Sequence, residues 1–204
     1  SRILELLAKW DKLDRDKFDV GKLFDHTLQD LDQITDFLNE LEKFKPSQDL
    51  KLKKLVQLLT KDPVLSKHKV LIFSEFSDTA RYIAQQLREA GIEGVGQIDS
   101  GTSGKRVDLI QRFAPYYNES SSAALGNKEI RVLVATDVLS EGLNLQDATR
   151  LINYDLHWNP VRLMQRIGRV DRRMNPEIEA RIVKDHPDQK ELRGTVAYWN
   201  FLPP

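Results

Sequence analysis

Between Val161 and Arg173 the chain carries five arginines, Arg162, Arg166, Arg169, Arg172 and Arg173, against one acid, Asp171. Gln165, Gly168, Arg169 and Arg172 fall at i, i+3, i+4 and i+7, a spacing that puts them on one face of a helix. Arg162, Arg166 and Arg173 form a flanking stripe, and Leu163, Ile167 and Val170 form an opposite, apolar face able to bury. A guanidinium stays charged and forks onto phosphate oxygens. Two arginines one turn apart, with a glycine just before the first, therefore suit close approach to a polyphosphate and to the charge on a transferring phosphoryl group. The other reading of such a helix is a set of ion pairs with surface carboxylates. Charge alone does not choose between them.

The elements that must position these residues are readable around them. Asn159 followed by Pro160 makes a helix start, a capping side chain and then a proline at the first helical position. Val70–Phe73 is a continuous apolar run of the kind found in strands covered on both faces, and Gly94–Ile98, Arg131–Ala135, Leu151–Tyr154 and Thr195–Phe201 are further strand candidates. Between them lie amphipathic helices. One carries Leu50, Leu52, Leu55, Val56, Leu58 and Leu59; a second, capped by Ser77, carries Ala80, Ile83, Ala84 and Leu87 and stops at Gly91; a third carries Val107, Ile110 and Phe113. Alternating strands and helices predict a parallel sheet with helices on both faces. In such sheets ligands sit beyond the carboxyl ends of the strands, which points to Ser74-Glu75-Phe76, Asp99 to Thr102, Thr136-Asp137 and Asp155 to Pro160.

Composition narrows the function classes. With 204 residues, 40% hydrophobic and 30% charged, the chain has the makings of a globular core. Cysteine is absent and only four histidines occur, widely separated, so disulfides, thiolate metal sites and a histidine-based zinc or iron centre are not expected. No apolar run reaches the roughly 18 residues of a membrane span, and no membrane partner is expected. The net charge of zero hides an asymmetry: residues 1–49 hold eight Lys and Arg against twelve Asp and Glu, a balance of −4, and the remainder balances it at +4. A local basic stripe can still supply phosphate contacts. The chain opens at Ser1 without methionine and stops at Pro204, which suggests an excised fragment; the absence of targeting signals is compatible with a cytoplasmic prokaryotic protein.

Two segments lie outside the strand–helix rhythm. Residues 1–46 read as an acidic helical hairpin, with Ile3, Leu4, Leu6, Leu7 and Trp10 in one arm, and Leu28, Leu31, Ile34, Phe37, Leu38, Leu41 and Phe44 in the other, ended by Pro46. This appendage precedes a domain over residues 47–204. Pro115 to Glu129, polar and serine-rich, reads as a mobile surface insertion.

The order of the motifs adds what charge does not. Gln165-Arg166-Ile167-Gly168-Arg169-Val170-Asp171-Arg172 resembles motif VI of superfamily-two helicases, the Q-x-x-G-R-x-x-R pattern. Val134 to Leu145 resembles motif V, Val70 to Leu87 motif IV and its helix, and Ile98 to Phe113 the block ending R-x-x-x-I-x-x-F. Tyr154 to Pro160 resembles the link between motifs V and VI in the SWI/SNF-type branch, especially its bacterial RapA-like and helicase/phospholipase-D-like members. Four blocks in this order cover about Asp49 to Arg173.

The resemblance implies the second, RecA-like lobe of an ATP-driven nucleic-acid motor. ATP and Mg²⁺ would then be held largely by a first lobe bearing the phosphate loop and acidic motif. Arg169 and Arg172 would face the triphosphate, Arg172 as the finger proper; Gln165 would help couple the site; Gly142 and Asn144 would line the nucleotide cleft. Ser74, Gly101 and Thr136 would touch the sugar-phosphate backbone, double-stranded DNA in this branch. Each has a plainer alternative: an unusual backbone turn at Gly142, helix capping by Ser74 and Thr136, an ion pair for Glu141, a cap or an arginine pair for Asp155. Trp158 beside His157 invites base stacking, but a Trp packed at the sheet edge is the expectation.

Gly101-Thr102-Ser103-Gly104-Lys105 superficially looks like a phosphate loop, but Asp99 and Arg106 stand where that pattern requires glycine and Ser or Thr. The chain has no acidic D-E-x-H-type box either. By itself it is expected to bind no cofactor and hydrolyse no ATP, since those groups supply most of phosphoryl-transfer catalysis. A competing reading is a non-catalytic nucleic-acid or protein binding module on the same scaffold. A small-molecule enzyme would want a glycine fingerprint after its first strand, and Ser74 to Ser77 offers none.

Overall fold

The computed structural model describes residues 16–102, 104–137 and 144–202, together with Ala8 and Asp14. The chain divides into two compact units, residues 1–48 and 49–204. In the first, helix α1 (Val20–Glu42) is capped by Asp19, whose Oδ1 accepts the Lys22 N–H at 3.0 Å. The helix begins earlier than its Leu28-onward stripe predicts and takes Gly21 into its first turn. The other arm of the expected hairpin, Ile3 to Trp10, lies outside the described residues apart from Ala8.

The second unit is built on five parallel strands, β1 (Val70–Phe73), β2 (Val95–Ile98), β3 (Val132–Ala135), β4 (Arg150–Asn153) and β5 (Ala197–Asn200), in the order β2-β3-β1-β4-β5. This is the parallel sheet that the apolar runs predict. Period-two alternation divides the sheet between two cores. Val70, Ile72, Val132, Val134 and Ile152 pack with Leu55 and Leu59 of α2 (Leu50–Lys61) and with Ile83, Ala84 and Leu87 of α3 (Ser77–Glu89). Leu71, Phe73, Leu133, Ala135 and Leu151 pack on the other face with Ile110 and Phe113 of α4 (Arg106–Phe113) and with Val170. Val107, expected on the buried stripe of α4, is exposed.

Helix ends follow local chemistry. Asp49 caps α2 by accepting the Leu52 N–H at 2.8 Å. After α3, Gly91 takes φ +79°; its N–H bonds the Arg88 carbonyl while the Ile92 N–H bonds that of Leu87, a Schellman stop sealed by burial of Leu87 and Ile92. Ser77 is not the cap of α3. It is the first helical residue, Phe76 occupies the cap position, and the Ser77 hydroxyl lies 3.3 Å from that of Ser100.

Residues 115–129 differ from the mobile insertion expected of their composition. They fold into a 3₁₀ turn (Tyr116–Asn118), helix α5 (Ser122–Leu125) and another 3₁₀ turn (Gly126–Lys128). Tyr116 is buried, and the Tyr116 and Tyr117 N–H groups donate to the two oxygens of Asp147 at 2.9 and 3.0 Å. Burial pushes the Asp147 carboxyl up from its ordinary value against the opposing pull of Lys69 and of these two amides. The polar surface of the segment conceals a tyrosine anchor and a capping carboxylate.

Candidate nucleotide and nucleic-acid edge

In-register pairing of Phe73 with Ala135 and Asn153, and of Ile98 with Ala135, brings four strand ends to one edge. Side chains from all four residue groups there make hydrogen bonds within the lobe. After β1, the Ser74 N–H bonds the Ala135 carbonyl, and its hydroxyl donates to Asp155 Oδ2 at 2.6 Å. Asp155 also receives the Glu75 N–H at 3.2 Å and Lys51 Nζ at 3.1 Å, so its cationic partner is a lysine and not an arginine. Ser74 is fully buried and, in this conformation, offers no hydroxyl to a nucleic-acid strand.

After β2, Asp99 organises the turn. Its carboxylate accepts the Gly101 N–H at 2.8 Å, Thr102 Oγ1 at 3.0 Å, Gln97 Nε2 at 2.9 Å and Arg81 Nε at 2.7 Å. Burial alone would raise its pKa, but the hydrogen bonds from Thr102 and Gly101 and the Arg81 charge together hold it below the ordinary 3.8. A Cβ on Gly101 would lie 3.2 Å from Asp99 Oδ1 and 3.4 Å from Arg81 Nη2, so the tight turn suits glycine. Gly101 is exposed, at the lip of an open cavity of about 360 Å³ that Arg81, Gln97, Asp99, Thr102 and Lys105 also line.

After β3, Thr136 is buried; its N–H bonds the Ile98 carbonyl, and its Oγ1 has no hydrogen-bond partner among the described residues. Asp137 follows, and it meets Arg166. The guanidinium forks onto the carboxylate, Nε to Oδ1 at 2.7 Å and Nη2 to Oδ2 at 2.8 Å, while Nη1 donates to the Asp155 carbonyl at 2.9 Å. The Phe73 ring lies beneath, 5.4 Å from Arg166 Cζ. Sequence reasoning placed Arg166 in an outer stripe; in the structure it is buried. It follows Leu163 by three residues and precedes buried Val170 by four, which puts it on the sheet-facing side of its helix. That spacing was the available signal.

The helix itself, α6 (Pro160–Ile167), starts as predicted, with Asn159 Oδ1 accepting the Val161 N–H at 2.9 Å. It stops earlier than predicted. Gly168 is its C-cap, so Gln165 remains helical while Arg169 and Arg172 lie beyond the last turn rather than on one continuous face. Arg169 is half-buried and lines a narrow cleft of about 30 Å³ with Arg162, Gln165, Arg166, Asp137 and Phe73. Arg172 is exposed and outside that cleft; its Nε donates back to the Gly168 carbonyl at 3.2 Å. Asn144 closes a local turn, its Oδ1 accepting the Gln146 N–H at 3.0 Å. Gly142 and Glu141 lie outside the described residues.

Trp158 overturns the expectation of a packed edge residue. It is 86% exposed and stacks on the His157 ring with centroids 5.7 Å apart. Phe76, Val161 and Met164, also exposed, belong to the same carboxyl-edge loops and the start of α6.

The sheet, its ligand edge and the arginine segment define the second RecA-like lobe of a superfamily-two helicase. Residues 50–174 match the helicase conserved C-terminal domain, and the chain belongs to that family. It is 38% identical over 104 residues to the uncharacterized ATP-dependent helicase YqhH of Bacillus subtilis (strain 168), a match covering 51% of this chain and 16% of that protein. It is 34% identical over 117 residues to the RNA polymerase-associated protein RapA of Vibrio cholerae serotype O1 (strain M66-2), covering 56% and 11%. Among solved structures it resembles the C-terminal part of the Fun30 ATPase domain in fold, with TM-score 0.50, 22% identity and coverage of 86% of this chain and 48% of that one. The matches thus span about one-sixth or less of the length of these curated relatives. Among the described residues, no helix is long and apolar enough to cross a membrane.

Proposed function

We propose that this lobe is the arginine-donating half of an ATP-driven motor on nucleic acid, working across a cleft from a first lobe that binds most of the nucleotide. The observation that carries this reading is the division of labour among the five arginines. Arg166 is neutralised internally by Asp137, whereas Arg162, Arg169, Arg172 and Arg173 have no ion-pair partner among the described residues. Had the arginine-rich segment been a structural ion-pair stripe, its guanidiniums would meet local carboxylates. Guanidiniums without an ion-pair partner among the described residues suit the charge that builds on a phosphoryl group in transfer. Arg172 acts as the finger and faces the triphosphate with Arg169, Gln165 helps couple the site, and Gly142 and Asn144 line the nucleotide cleft.

Among the described residues no three His, Cys, Asp or Glu side chains converge on a possible metal site. The magnesium ion of the intact protein is assigned to the first lobe, and no step here passes through one. The chain by itself is expected to hydrolyse no ATP at a useful rate. The nucleic-acid surface falls on the exposed part of the edge: the Gly101 loop with Lys105, and the aromatic platform of Trp158. Duplex DNA is the proposed track, with translocation or remodelling as the output.

The test is nucleic-acid-stimulated ATP turnover by the intact protein. Arg172→Ala should lower kcat on the order of a thousandfold while nucleotide affinity changes little. Collapse of affinity with turnover preserved would refute the finger assignment.

A further inference from the structure

We infer that Gln146 is the positioning residue for the arginine finger, an inference that rests on the reading of Arg172 just given. Between the cap of α6 at Gly168 and the cap of α7 (Pro176–Asp185) at Asn175, the chain leaves helical structure, and both Arg172 and Arg173 lie in this connection. A finger on a non-helical connection needs an external restraint, because small displacements of a transition-state contact cost rate steeply. Gln146 supplies it. Its Nε2 donates to the Arg172 carbonyl at 3.0 Å and to the Arg173 carbonyl at 3.3 Å, fixing the main chain from which the finger projects. The finger's own Nε is held from the other side by the Gly168 carbonyl.

Gln146 is itself rigidly held. It is 3% exposed, its N–H bonds Asn144 Oδ1, and its carbonyl accepts Arg193 Nη2 at 2.8 Å. Arg193 is clamped in turn by Glu179, through Nε to Oε2 and Nη2 to Oε1, both at 2.6 Å. Tyr117 closes the frame: its hydroxyl donates to Glu179 Oε1 at 2.7 Å and accepts the Asn175 N–H at 3.1 Å. The turn before β4 and the finger's connection are therefore joined through one buried amide with two N–H groups.

The experiment compares Gln146→Glu with the unsubstituted intact protein. The replacement keeps the shape but turns the amide donor into an acceptor facing two carbonyl oxygens. We expect kcat for nucleic-acid-stimulated ATP hydrolysis to fall about ten- to a hundredfold, with nucleotide Kd within about twofold; the thermal midpoint should drop too, because the buried replacement leaves two carbonyl oxygens without their donor, and turnover is compared well below it. In an Arg172→Ala background the same replacement should add almost nothing, because a positioning residue matters only while the group it positions is present. Gln146→Met, which removes the donor without adding charge, carries the same comparison if Gln146→Glu does not fold. Wild-type turnover, or an equal fold-loss with and without Arg172, would overturn the inference while leaving the finger in place. Full turnover by Arg172→Ala alone would instead overturn the finger assignment beneath it.

Discussion

Arg166 and Asp137 are 29 residues apart in sequence and form a two-pronged ion pair at 2.7 and 2.8 Å, the guanidinium side of which is almost entirely buried. Asp137 closes β3's end and Arg166 belongs to α6, so the pair locks the arginine helix to the sheet edge. Removing one partner leaves the other charge unpaired. For a buried pair this costs about 3–5 kcal/mol, and the 27% exposure of the Asp137 side chain places the expected value at the lower end, near about 3 kcal/mol. Denaturant unfolding of Asp137→Ala should show that loss. Adding Arg166→Met, which removes the stranded charge, should recover most of it; losses that simply add would contradict the coupling.

The Asp99 turn should give the lobe a specific acid sensitivity. Its carboxyl titrates below 3.8 in the folded chain, so the folded state favours the ionised form. The resulting stabilisation is complete above the unfolded value and is lost as pH falls through the depressed folded value. Asp99→Asn removes it. The variant should be less stable at neutral pH by about 2 kcal/mol, the scale of hydrogen bonds to a charged group. The gap to the parent chain should narrow as the pH drops below 3.8. Urea unfolding at a series of pH values reads this directly, and a gap that stays constant into acid would rule out the carboxylate as its source.

The sheet was legible because continuous apolar runs such as Val70–Phe73 and Val132–Ala135 have no other stable destination than a strand covered on both faces. The caps at Asn159 and Gly91 were legible for the same local reasons. What sequence left unread was non-local. The spacing of Gln165 through Arg172 is helical whether or not the helix continues, and its end at Gly168 is accompanied by the bond from Gln146, 26 residues from Arg172, to the connection that follows. Arg166 looks like one more surface arginine until Asp137 is placed beneath it. The serine-rich run of residues 115–129 looks unstructured until the Asp147 carboxylate meets the two tyrosine amides.

On the proposed function, Trp158 should separate binding from folding. At 86% exposure and with the His157 ring stacked on it, its side chain contributes little to the core. Trp158→Ala should therefore change stability by no more than about 0.5 kcal/mol. An aromatic face presented to nucleic acid is worth about 1–3 kcal/mol per stacked base, so the same change should weaken nucleic-acid binding by the intact protein about tenfold. Loss of stimulated ATP turnover should follow at sub-saturating nucleic acid and be relieved at saturation, since the platform acts on binding and not on the phosphoryl group. Unchanged affinity across a salt titration would remove Trp158 from the binding surface and return the contact to the Gly101 loop and Lys105.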